Sequence, residues 1–134
     1  MSDAPLLPQP DERSAPFFDG AREGRLMLQR CAACDSWLHP VKTRCPQCGG
    51  NEIVWQATGG RGVLFSHGRL WRAVYPAQEA ELPITLAVVD LDEGVRISAR
   101  LVGEEPPRAG ERVVVEFQPL GPDIALPVFR QARN

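Results

Sequence analysis

The residues best equipped for chemistry in this chain are its four cysteines. They stand as Cys31-Ala-Ala-Cys34 and Cys45-Pro-Gln-Cys48, with ten residues between the pairs. Two such knuckles supply four soft thiolates, the set that tetrahedral Zn²⁺ favours. Each pair needs a tight turn, and the residue after its second cysteine is often forced to positive φ. Gly49 adopts that region at no steric cost, and Asp35, in the matching place, tolerates it better than most residues. The competing readings are two disulfides or a redox-active C-x-x-C. The first conflicts with a reducing compartment, and the second needs a neighbouring βαβ pattern that this sequence lacks. Four sulfur ligands leave no coordination position open to a substrate, so the expected metal is structural. His39, between the knuckles, has the chemistry to compete as a ligand, but the favoured reading is a surface loop residue.

Little else points to an independent active site. Once the thiols are committed to metal, His39 and His67 are the remaining histidines. Asp90, Asp92 and Glu93 fall at a turn and read as solvated carboxylates. No G-x-S-x-G, Walker loop or G-x-G-x-x-G is present. Gly59-Gly60-Arg61-Gly62 has no helix after it to offer a phosphate its N-terminus, and reads as a hairpin or linker turn. The segment Arg69-Leu70-Trp71-Arg72-Ala73-Val74-Tyr75-Pro76 has two readings. Arginines alternating with aromatics can stack an adenine ring and pair with phosphate. The plainer reading, favoured on the residues alone, is a strand with Leu70 buried and its arginines in solvent.

The elements that must position these groups are short. The chain has 134 residues, 43% of them hydrophobic, with 13 prolines and 12 glycines. That suffices for one compact domain or two very small ones, rich in turns. Residues 1–13, with Pro5, Pro8 and Pro10, read as a flexible tail. Residues 14–30 form a lead-in: Ser14 caps a short helix, Pro16 sits early in it, Gly24 stops it, and a short strand runs into Cys31. The zinc ribbon occupies 31–53. From 54 to 134 five runs read as strands: 63–71, 84–91, 95–101, 112–117 and 125–130. Asp92-Glu93-Gly94 is a hairpin turn between the second and third. In the third, Val95, Ile97, Ala99 and Leu101 alternate with Arg96, Ser98 and Arg100, as a half-buried strand requires. The expected fold is mostly β: a short helix and rubredoxin-like zinc ribbon, then a five-stranded OB-fold barrel.

Composition narrows the partners. The formal net charge is -2, before the thiolates of a four-cysteine zinc site add their own. From residue 54 onward nine arginines face ten Asp or Glu, which leaves no basic groove for a phosphate backbone. A nucleic-acid-binding zinc-ribbon and OB-fold module is therefore the alternative rather than the leading reading. Met1–Pro10 lacks the basic and apolar regions of a signal peptide, and no stretch reaches the roughly 20 apolar residues of a membrane helix. The expected location is the cytoplasm.

The chain resembles the family called "domain of unknown function 35", a zinc ribbon followed by an OB-fold. The residues that carry the resemblance are the aromatic lead-in Phe17-Phe18-Asp19-Gly20 through Arg30-Cys31, then Cys45-Pro-Gln-Cys48-Gly49. Gly60-Arg61-Gly62-Val63-Leu64-Phe65-Ser66, Val89-Asp90-Leu91-Asp92-Glu93-Gly94 and Leu126-Pro127-Val128-Phe129-Arg130 follow in order. It spans about residues 16–130. The resemblance implies a non-catalytic acyl-CoA-binding or scaffold subunit. Its partner would be a thiolase-like aldolase of the lipid-transfer-protein type or a MaoC-like enoyl-CoA hydratase, in the degradation of steroid or other branched acyl-CoA. On that reading Arg69, Trp71 and Arg72 are candidate acyl-CoA contacts, and Phe17 and Phe18 offer an apolar patch to the partner.

Overall fold

The computed structural model describes residues 7–132. Helix α1 spans Ala15–Arg22 and begins with Pro16 in its first turn, where a missing N–H breaks no intrahelical bond. Ser14 is the N-cap residue, but its side chain does not cap the helix. Its hydroxyl donates instead to Asp11 Oδ1 at 3.0 Å, and Asp11 also accepts from the Ser14 and Arg13 N–H groups. These bonds, the Ser14 N–H first, hold the Asp11 carboxyl below its ordinary range. The helix ends in a Schellman turn: Gly24 at φ +78 donates to Ala21 O, and Arg25 donates to Gly20 O at 2.8 Å.

Gly20 lowers helix propensity, and packing explains its presence. A Cβ there would sit 2.4 Å from Met27 Cγ and 2.9 Å from the Arg25 carbonyl. The helix thus lies against the following strand at a separation only glycine permits. Gly20→Ala gains about 0.5–1 kcal/mol of helix propensity but costs about 1–3 kcal/mol of overpacking. We expect a net loss of stability, visible as a lower midpoint in thermal or urea unfolding.

Strand β1 (Met27–Cys31) is central in a three-stranded antiparallel sheet, between β2 (Trp37–Leu38) and β3 (Ile53–Ala57). Gln29 faces Trp55 on one side and Leu38 on the other. The Gln29 side chain is buried and satisfied by one backbone unit: it donates to Lys42 O at 3.0 Å and accepts from Lys42 N–H at 2.7 Å. This clamp fixes the loop that connects the two cysteine knuckles.

The barrel comprises β4 (Arg61–Leu70), β5 (Ile84–Leu91), β6 (Arg96–Val102), β7 (Arg112–Gly121) and β8 (Ile124–Gln131). They close in the order β4-β5-β6-β8-β7, with β7 paired back onto β4. Of these pairs only β6 and β8 run parallel; the others are antiparallel. The 92–94 hairpin turn forms as expected, with Gly94 at φ +93. A short 3-10 helix, Pro76–Glu81, lies in the β4–β5 connection.

Leu64, Val89, Val113 and Phe129 fill the barrel and are all nearly inaccessible. Leu26 and Leu28, from the lead-in and β1, belong to the same buried cluster. The ribbon and the barrel therefore share a core, and the sheet pairing carries the ribbon through Ala57 before the barrel begins at Arg61. The turn between them is pinned at several points. Gly60 sits at φ +70, where a Cβ would meet Val115 Cγ1 at 2.4 Å, and its carbonyl accepts from Val115 N–H.

Glu93 is not simply solvated. Its Oε2 accepts from Gly59 N–H at 2.7 Å, while its Oε1 is buried without a hydrogen-bond partner. The 92–94 turn thus ties the linker to the barrel. Half-buried Asp90 and exposed Asp92 are paired, to Arg96 and Arg112. Those guanidiniums, through hydrogen bonds first, hold both carboxyls below their ordinary range.

Candidate functional site

The two knuckles are built alike. Asp35 N–H donates to Cys31 O at 2.7 Å, and Gly49 N–H donates to Cys45 O at 2.8 Å. Cys31 N–H reaches Ser36 O and Cys45 N–H reaches Gly50 O, at 2.8 and 2.9 Å. Asp35 at φ +65 and Gly49 at φ +75 make the two left-handed turns. Asp35 is the one described non-glycine residue at positive φ, and Arg30 pairs with its carboxylate.

The four sulfurs converge. Cys31 and Cys48 lie 3.6 Å apart, Cys34 and Cys45 3.5 Å, and all four ligand atoms fall within 4.8 Å of one another. A disulfide would need about 2.05 Å. Tetrahedral Zn–S bonds of about 2.3 Å place sulfurs about 3.8 Å apart, so the set is close to the arrangement zinc requires. Cys31 and Cys45 are buried; Cys34 and Cys48 are exposed.

The two exposed thiols have unlike surroundings. Ser36, through its side chain and then its backbone, pulls the Cys34 thiol down to about 6. Gly50 N–H favours the Cys48 thiolate, but hydrogen bonds with Cys31 and Cys34 outweigh it and push that thiol up to about 12. Bound to Cys31, Cys34, Cys45 and Cys48, a divalent ion would favour the thiolate form of its ligands. Zinc here would brace the fold, since the thiolates leave it no open position.

His39 departs from the sequence expectation of a surface loop residue. It is half-buried and stacks on Phe17, with ring centroids 6.2 Å apart and planes 24° apart. It is not part of the sulfur cluster. Burial first, then the charge of Lys42, lowers its pKa. The folded state thus prefers neutral imidazole, whereas the unfolded chain takes up a proton near pH 6.5. As pH falls below that value the unfolded state gains the proton first, so stability declines until the folded-state pKa is passed. Thiolate protonation adds a slope of the same sign. We expect His39→Phe to flatten the wild-type decline between pH 7 and 5 in urea unfolding, leaving the thiolate part.

Phe17 and Phe18 make an edge-on pair at 5.2 Å. Both are half-buried, and Phe17 packs against the shared core. Arg69 lies near the end of β4, exposed, with Trp71 (68% exposed) and Arg72 in the connection beyond. Leu70 between them is half-buried. Among the described residues neither Arg69 nor Arg72 makes an ion pair, whereas Arg96, Arg112 and Arg130 are held at 2.6–2.8 Å by Asp90, Asp92 and Glu116. Phe65, at the bulge between Leu64 and Ser66, is covered by the Arg96 guanidinium at 3.8 Å.

The structure also shows a cavity of about 620 Å³ between α1, the 3-10 helix and strands β6 to β8. Phe17, His39, Tyr75, Ile97, Arg100 and Leu126 are among the residues that line it. The sequence had no periodic signal for it, because its walls come from separate segments of the chain. Among the described residues no helix is long and apolar enough to cross a membrane.

Comparison with known proteins agrees with this architecture. Residues 18–54 match the family model "ChsH2, rubredoxin-like zinc ribbon domain", and residues 55–118 match "ChsH2, C-terminal OB-fold domain". A solved structure titled "Ltp2-ChsH2(DUF35) aldolase" contains a chain 35% identical, with a TM-score of 0.83. The match covers 95% of this chain and 100% of that one. A DUF35 structure from Sulfolobus solfataricus, of unknown function, has a TM-score of 0.60 at 12% identity over 90% and 86% of the two chains, and shares the fold.

A Thermomonospora curvata protein described as a probable enoyl-CoA hydratase alpha subunit is 36% identical over 95% of this chain. A Mycobacterium tuberculosis protein, the 3-oxo-4,17-pregnadiene-20-carboxyl-CoA hydratase alpha subunit, is 32% identical over 79% of it. The chain spans only 40% and 33% of those two relatives. With both ribbon and barrel in place and a full-length counterpart at this identity, the chain belongs to the DUF35 family in its ChsH2 form.

Proposed function

We propose that this chain is a non-catalytic subunit of an acyl-CoA enzyme. It assembles with a thiolase-like aldolase of the lipid-transfer-protein type, or with a MaoC-like enoyl-CoA hydratase, and helps hold the acyl-CoA. The observation that carries this reading is the full-length counterpart found in the aldolase structure, at 35% identity. Two relatives described as hydratase alpha subunits support the wider class. The second of these, named for a steroid-derived acyl-CoA, makes a steroid or branched acyl group the leading substrate class.

The chemistry of the chain suits an accessory role. Its thiols are drawn into one structural cluster, and the carboxylates Asp90 and Asp92 are engaged by arginines. Catalytic groups would come from the partner. On this chain, Arg69 and Arg72 would meet the CoA phosphates while Trp71 stacks on the adenine. Phe18 and the exposed edge of Phe17 would contact the partner, with the rest of Phe17 serving the core.

The test is co-expression with an aldolase or hydratase from the native host, followed by size-exclusion chromatography and activity assays. The expected result is a stable complex whose acyl-CoA turnover exceeds that of the partner alone. Arg69→Ala/Arg72→Ala should raise KM for the acyl-CoA severalfold without dispersing the complex. If no partner co-elutes and no partner's rate or stability changes, the reading fails.

A further inference from the structure

The cavity beside α1 has the makings of a second binding site. None of Arg69, Trp71 and Arg72 lines it. At about 620 Å³ it falls within the range of small-molecule sites, about 300–1,000 Å³. Its walls are chiefly carbon: the Phe17 ring, Ile97, Ala99, Leu126 and Val128, with backbone of β6 and β8 between them. The parallel β6–β8 pair forms the floor, with Arg100 opposite Val128 in register. His39, neutral in the fold, stacks on Phe17 and keeps that wall uncharged.

Two opposite charges line this largely apolar space, Arg100 and Glu81, and the contact between them is long. Arg100 lines the cavity, and among the described residues its ion-pair partner is Glu81 alone, at 3.5 Å. The other paired barrel arginines, Arg96, Arg112 and Arg130, sit 2.6–2.8 Å from their carboxylates. A guanidinium has five N–H donors in a rigid fork, and a single long contact leaves most of them free. The Arg100 side chain is nonetheless only 28% exposed, so water reaches it less than it reaches those three. A partly desolvated cation with spare donors, at the edge of an apolar cavity, favours an oxygen anion attached to a hydrocarbon body.

We infer that the cavity between α1 and the β6–β8 floor binds a small apolar molecule bearing one anionic oxygen group. The hydrocarbon lies against Phe17, Ala99 and Leu126, and the anion pairs with Arg100. This binding belongs to the isolated chain and does not depend on assembly with an aldolase or hydratase, so either reading can fail alone.

The test uses 8-anilinonaphthalene-1-sulfonate, an apolar ring system with one anionic group, as a fluorescent probe of the full zinc-loaded chain. Decanoate and decanol serve as competitors of equal length. Saturable fluorescence enhancement is expected, with decanoate displacing the dye at roughly tenfold lower concentration than decanol, about the value of one charge-assisted hydrogen bond. Arg100→Gln should erase that preference while the circular dichroism spectrum stays unchanged. Ala99→Leu, which fills the cavity, should weaken dye and decanoate alike. Should Ala99→Leu impair folding, Leu126→Phe fills the same space from β8.

Three results would overturn the proposal. The first is no saturable enhancement in the native chain. The second is equal displacement by the acid and the alcohol. The third is loss of the signal in Phe65→Ser/Leu86→Ser, which removes exposed apolar groups outside the cavity, with Arg100→Gln unaffected.

Discussion

Cys45→Ser is expected to leave the chain without stably bound zinc and to unfold the ribbon. The wild-type protein should carry one zinc per chain by elemental analysis, and the variant close to none. The reason is in the geometry: Cys45 is buried, its sulfur lies 3.5 Å from Cys34, and its carbonyl closes the second knuckle by accepting from Gly49. Structural zinc sites bind with apparent free energies of about 10–16 kcal/mol, and that energy is coupled to folding. The knuckles themselves have little else to stand on. Their own buried cluster consists of Cys31, Leu38 and Cys45, with Ile53 packed against it. Tryptophan fluorescence reports the outcome, since Trp37 and Trp55 lie in the ribbon sheet and are half-buried, while Trp71 is already exposed. A red shift in the variant, or after chelation of the wild type, is the expected result. An unshifted spectrum and a retained ribbon in metal-free protein would overturn the structural assignment of the metal.

Leu28→Ala is expected to cost about 2–5 kcal/mol and to destabilise ribbon and barrel together. Leu28 is 1% exposed and belongs to the cluster that also holds Leu64, Val89, Val113 and Phe129. Truncating the side chain there opens a cavity that two sheets line jointly, so neither can relax alone. The measurement is urea unfolding followed by two probes, tryptophan fluorescence for the ribbon and far-ultraviolet circular dichroism for the barrel-dominated strands. Both curves should shift by the same amount and stay coincident. Separation into two transitions, with only the ribbon affected, would show that the shared core is not cooperative.

The same coupling bears on function. A chain whose ribbon sheet and barrel share a core presents its surfaces in one fixed relation. Arg69 and Arg72 at the β4–β5 connection, Phe17 and Phe18 on α1, and the cavity beside Arg100 are all anchored to that core through β4, α1 and β6. Loss of zinc should therefore weaken binding of the proposed partner by releasing the ribbon that helps fix those surfaces.

The local features of this chain were legible in its sequence because they depend on near neighbours. Two C-x-x-C pairs with Asp35 and Gly49 behind them specify knuckles, since four sulfurs and a positive φ leave few alternatives. Val95 to Leu101 alternates strictly because one face of β6 is buried, and Asp92-Glu93-Gly94 turns because Gly94 accepts φ +93. These signals were enough to give the ribbon, the five strands and the barrel.

What the sequence could not reveal arises between segments distant in the chain. Ser14 stands where a cap belongs, but Asp11 competes for its hydroxyl. His39 looks like a loop residue until the Phe17 ring arrives against it. Leu26 and Leu28 read as part of a short strand leading into Cys31, and only strand closure shows that they complete the barrel core. The loosely held Arg100 and its cavity depend on α1, the 3-10 helix and the parallel β6–β8 pair meeting in space. Residue types and spacing by themselves determined the metal centre and the kind of fold, because both are set by short-range sterics and ligand chemistry. Tertiary packing alone decided the shared core, the state of His39 and the cavity, because burial and charge pairing depend on which distant surfaces come into contact.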